Sequence, residues 1–153
     1  MRSNPYQQYV NDDILTADPM KLVELLYRGA LEAVADARTK LALGDVKGRS
    51  GAITKAIQIL TELAVSLDHE RGGELSTRLA ALYDYAQRRL IAANFEQVDG
   101  PLAEVEGILQ TLADAWVSIE ASQAAKTTRA RTPEKFATQF VDTGDYVSLS
   151  CAY

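Results

Sequence analysis

The sequence predicts an all-α protein, an antiparallel up-down four-helix bundle with a short N-terminal arm and a mobile C-terminal extension. Two observations predict it. Apolar residues recur every three or four positions in four separate segments, and short turns rich in Gly, Asp and Pro divide them. Connections that short make sequential helices antiparallel neighbours. A chain of 153 residues suits one core, so the expected division is an arm over 1–18, a bundle over 19–121 and an extension over 122–153.

The first helix is expected over residues 19–43. Asp18 is placed to cap it, and Pro19 suits the first helical position, where no amide hydrogen is needed. Val23, Leu26, Ala30, Ala33 and Ala37 form its stripe, widened by Leu22, Leu25 and Tyr27, so this helix should meet neighbours on more than one side. Gly44-Asp45 ends it and caps a second helix over 46–68, with Ile53, Ile57, Leu60, Ala64 and Leu67 in its seam. Gly48 and Gly51 each weaken that helix by roughly 1 kcal/mol relative to alanine, which predicts a frayed or late start.

His69 through Gly73 make the next break. A third helix over 74–94 carries Leu75, Leu79, Leu82, Ala86, Leu90 and Ala93, with Asn94 as its left-handed end. Asp99-Gly100-Pro101 turns the chain into a fourth helix over 102–121, with Val105, Leu109, Leu112, Trp116 and Ile119. At 1.5 Å per residue the bundle should be about 30–35 Å long. Beyond residue 121 a polar, threonine-rich stretch has no apolar period, so it should be a mobile extension or a frayed continuation of the fourth helix.

Several function classes are disfavoured for want of parts. His69 is the only histidine and Cys151 the only cysteine, so neither a two-histidine metal site nor an internal disulfide can be built. Gly72-Gly73 lacks the Lys-Ser/Thr of a phosphate loop. The glutamates at 62, 70, 74, 104, 106 and 120 read as solvated helix faces and caps. No catalytic residue, cofactor or metal is expected. A net charge of -5 repels phosphate backbones, which argues against nucleic acid. No apolar run reaches the ~18–20 residues needed for membrane insertion, and the first residues lack a signal-peptide core, so the cytoplasm is the expected compartment.

What remains is binding. Tyr6, Tyr9, Ile14 and Leu15 stand among polar residues of the arm, where they can staple the first helix or cover an apolar groove. Tyr83 and Tyr85 lie about 200° apart on a helix, so one must leave the core. An exposed tyrosine supplies contact area at low entropic cost. Asp84 can pair with Arg88 one turn on. Trp116 continues the stripe of the fourth helix and reads first as core.

Three ordered blocks carry a resemblance: NPYQQY at 4–9, LTADPMKLVELLYRGA at 15–30 and GGELSTRLAALYDYAQRRLIAAN at 72–94, joined by Gly44-Asp45, Leu67-Asp68 and Asp114-Ala115-Trp116. Together they resemble the bacterial flagellin export chaperones, the FliS family, over roughly residues 4–116. The resemblance implies a non-enzymatic cytoplasmic bundle. It would hold the C-terminal segment of flagellin, prevent premature polymerisation and deliver the client to the flagellar export machinery. It also implies that Tyr6 and Tyr9 shield a groove and that Tyr83 and Tyr85 stand at its rim. The expected contact set is Tyr6, Tyr9, Ile14, Leu15, Leu22, Leu26, Tyr83, Tyr85, Arg88 and Trp116. The rival reading is a structural or adaptor bundle that self-associates, for instance as a homodimer. Two features depart from the family pattern. Arg28 stands where an acidic residue is common, and the extension after Ala121 has no fixed counterpart; its Phe136–Phe140 part is expected to fold back and compete with the client.

Overall fold

The computed structural model describes residues 19–129, with side chains through Lys126, and Tyr153. Four helices follow one another: α1 (Pro19–Ala42), α2 (Val46–Val65), α3 (His69–Glu96) and α4 (Gly100–Arg129). α1 packs on α2 and α4, and α3 packs on the same two, so the helices run in sequence order around one core. This is the four-helix bundle that the periodicity predicts.

The core is built from the expected faces, with two adjustments of register. Val23, Leu26, Ala30, Ala33 and Ala37 of α1 are all buried. In α2 the centre of the seam lies at Ala52, Ile53, Ala56, Ile59, Leu60 and Leu63, while Ile57 and Ala64 flank it. In α3 the inward row is Leu79, Tyr83, Ala86, Leu90 and Ala93; Leu82 is displaced to the boundary. Spacings of four, three, four and three hold through Tyr83 and fail through Leu82, so the larger polar-tipped ring takes the core position.

The helix ends carry their own chemistry. Asp45 accepts from the Gly48 backbone N–H at 2.9 Å and caps α2 from Val46 onward, so the start is neither frayed nor late. Gly48 serves that cap, because a Cβ there would lie 2.4 Å from the Asp45 carboxylate. Asp68 accepts from the N–H groups of Glu70 and Arg71, which nucleates a turn through the predicted break. The break survives as a kink at Gly73, whose φ of 52° and ψ of -124° suit glycine alone. Beyond it, the buried Ser76 hydroxyl donates to the Asp68 carbonyl at 2.9 Å and ties the bent segments together.

α3 runs past Asn94 to Glu96, and Gln97 supplies the left-handed end at φ 58°. Asn94 is used differently. Its Oδ1 accepts from Arg49 Nε at 3.0 Å and from Ser50 Oγ at 3.1 Å, clamping the start of α2 to the end of α3. Arg49 is only 3% exposed, so this pairing satisfies a buried guanidinium. At the same end, Arg38 of α1 grips Asp99 with two bonds of 2.7 and 2.8 Å and reaches Glu106 at 3.0 Å. The donated bonds hold the Asp99 carboxyl below its ordinary range.

α4 continues past residue 121 to Arg129, so the polar stretch begins as a continuation of the helix, one of the two alternatives left open by its composition. Ser122 through Lys126 carry no breaker and include two alanines, so the polar composition does not stop the helix. Asp18, the arm residues Tyr6, Tyr9, Ile14 and Leu15, and the Phe136–Phe140 segment lie outside the described residues.

Candidate partner-binding site

A groove runs along the α1–α4 face because small residues stand where the two helices approach. Its wider part, about 560 Å³, is lined by Leu31, Ala35, Ala103 and Gly107, with Glu32, Glu106 and Gln110 at its edges. A second part of about 170 Å³ shares Leu31 and Gln110 and continues past Ala113 to Tyr27, Trp116 and Val117. Glu24, Arg28 and Asp114 edge that part. The floor is thus apolar, and the rim carries more negative than positive charge. Arg28, the departure from the family pattern, bonds Glu24 at 2.9 Å and brings a positive charge to this rim. Lys21 also donates to Glu24, and that bond holds the carboxyl below its ordinary range. A third hollow, about 310 Å³, lies between α2 and α3 at Thr61, Ala64, Val65, Ala80 and Tyr83.

An aromatic cluster adjoins the narrower part of the α1–α4 groove. Tyr27 of α1 and Tyr83 of α3 meet across the bundle diagonal with their hydroxyls 2.5 Å apart. Both rings are buried, at 2% and 1% exposed. Tyr153 reaches this point from far along the chain. Its hydroxyl lies 3.0 Å from that of Tyr27 and is bonded to that of Tyr83 as well. Its ring meets Trp116 edge-to-face, with centroids 5.4 Å apart and planes at 82°, a geometry worth about 0.5–1.5 kcal/mol beyond area burial. Trp116 is itself satisfied, since its indole N–H donates to the Met20 carbonyl at 3.0 Å. Burial pushes the Tyr27 hydroxyl up to about 12 and raises that of Tyr153 as well.

The expected contact residues separate into three groups. Leu26 and Tyr83 are closed into the core, and Trp116 is buried there too while giving an edge to the narrower part of the groove. The reading of both third-helix tyrosines as rim therefore divides, with Tyr83 pointing in and Tyr85 pointing out. Leu22 is half-buried against the core. Tyr85 and Arg88 are exposed; Tyr85 donates to Glu104 and Arg88 to Asp84, so both lie in a charged surface rather than in the α1–α4 groove. Sequence reasoning missed Leu31, Ala35, Ala103, Gly107 and Ala113. The signal was present in the run of small residues at helical spacing on α4, which reads equally well as close packing.

Among the described residues no group of three or more His, Cys, Asp or Glu could hold a metal ion, and no helix is long and apolar enough to cross a membrane. Comparison with known proteins gives a consistent answer. Residues 2–123 match the family described as flagellar protein FliS. The flagellar secretion chaperone FliS of Salmonella typhimurium is 42% identical over 114 residues, which cover 74% of this chain and 84% of that protein. That of Bacillus subtilis is 38% identical over 113 residues, 74% and 84% of the two chains. That of Escherichia coli is 36% identical over 108 residues, 70% and 79%. These relatives are named as chaperones, a non-enzymatic role. A bundle with an open apolar groove, matched to one family over most of its length, thus belongs to the FliS family of flagellar secretion chaperones.

Proposed function

We propose that this chain is a cytoplasmic export chaperone that holds the C-terminal segment of flagellin in the α1–α4 groove, keeps it from polymerising and passes it to the flagellar secretion apparatus. The observation that carries the reading is the trough floored by Leu31, Ala35, Ala103, Gly107 and Ala113. It offers apolar surface along helices that are otherwise well covered. A segment that is amphipathic when helical can order there, with its polar side outward. Such coupled folding typically buries about 1,000–3,000 Å², enough to offset the ordering of the client.

The test mixes the purified chain with a synthetic peptide of the flagellin C-terminal segment and follows the mixture by size exclusion and calorimetry. A one-to-one complex is expected. Gly107→Trp should abolish it, because the position is open and helical and the indole fills the trough. Binding equal in the parent chain and in Gly107→Trp refutes this groove as the client site. A second reading, a self-associating adaptor, draws on the exposed Ile91, Phe95 and Val98 at the end of the bundle that also holds exposed Leu43 and Val46. It predicts a dimer on the same column with no peptide added.

A further inference from the structure

We propose that the cleft between Tyr27, Tyr83 and Trp116 is a receptor for a phenol side chain, and that Tyr153 of the same chain is its resident occupant, which the client displaces. The displacement rests on the chaperone reading above; the docking of Tyr153 rests on its own contacts. Ring and hydroxyl are each recognised. The ring sets its edge against Trp116. The hydroxyl joins those of Tyr27 and Tyr83.

Hydrogen-bond arithmetic explains why a tyrosine belongs there. Each hydroxyl has one proton to donate. Tyr27 and Tyr83 bonded only to one another use one proton and leave the second without an acceptor in a buried place. A third hydroxyl closes a ring of three in which each donates once and accepts once. Phenylalanine would supply the edge contact and leave the deficit; an aliphatic side chain would supply neither. A site built around buried hydroxyls discriminates against an occupant that lacks one.

Position gives the docking its consequence. Tyr27 and Trp116 also line the narrower part of the α1–α4 groove. A client lying along the whole groove therefore packs against the same Tyr27 and Trp116 that hold Tyr153. An occupant carried on the same chain competes at a fixed effective concentration, independent of how much protein is present.

The experiment uses the full chain with Tyr153→Ala and Tyr153→Phe. Trp116 is the only tryptophan, so its emission reports the cleft directly and needs no client. Tyr153→Ala should red-shift that emission and open Trp116 to acrylamide quenching, with Tyr153→Phe between the alanine variant and the parent. Calorimetry with the flagellin C-terminal peptide should show tighter binding to Tyr153→Ala, about tenfold if Tyr153 occupies the cleft roughly nine-tenths of the time. Unchanged emission overturns the docking, and unchanged affinity beside a shifted emission overturns the competition. A peptide that binds neither parent nor variant refutes the chaperone reading, and the emission alone then decides the docking.

Discussion

Alkaline pH should destabilise this bundle through Tyr27. Its hydroxyl is buried at the diagonal contact, and burial moves its pKa from 10.0 to about 12. At 1.36 kcal/mol per pKa unit, the preference for the neutral phenol in the folded state is worth about 3 kcal/mol. The sign follows from the direction of the shift. Below pH 10 the phenol is neutral in both states and this stability is fully present. Between pH 10 and 12 the unfolded chain releases the proton and the folded one keeps it, so stability falls as pH rises and the contribution is gone above the folded value. The assay is urea unfolding by circular dichroism at intervals from pH 8 to 12, on the parent and on Tyr27→Phe. At pH 8 the variant should be weaker by about 1 kcal/mol for the lost hydrogen bond. By pH 12 the order should reverse, because phenylalanine has no proton to lose. Two curves that stay parallel across that window would show that Tyr27 ionises as freely in the fold as in water.

Gly51→Ala should raise stability by about 0.5–1 kcal/mol in the same urea assay, because the position is helical and a Cβ there meets nothing within 4 Å. Asn94→Ala should cost about 2–3 kcal/mol, since it strips Arg49 Nε of its acceptor and leaves a buried guanidinium poorly paired. Arg49→Met in the Asn94→Ala background should recover part of that loss, as a double-mutant cycle would measure.

Helix number, order and most boundaries were legible because they depend on local chemistry. Pro19, Gly44-Asp45 and Asp99-Gly100-Pro101 act on the backbone beside them, and the structure places turns or helix starts at each. Where the reading slipped, a longer-range term decided the outcome. Asn94 could end a helix, but its amide is engaged by Arg49 and Ser50 from another helix, so the chain continues to Gln97. Leu82 outranks Tyr83 on hydrophobicity, yet the hydroxyl of Tyr83 has a partner in Tyr27, a residue 56 positions away. The groove was the least legible feature. Alanine and glycine at Ala35, Ala103 and Gly107 have the same spacing whether the helices close over them or stand apart. The contact of Tyr153 with Trp116 joins residues whose sequence neighbourhoods share no pattern, so no periodicity could have announced it.

The tyrosine pair on the diagonal acts as a strut. Phenol tips that meet head-on between opposite helices lock both the width of the barrel and the axial registry of α1 against α3. Sliding either rod by one turn, about 5.4 Å, would pull the tips apart and strand them in oil. The four-rod frame is therefore held to one spacing and one registry at this level.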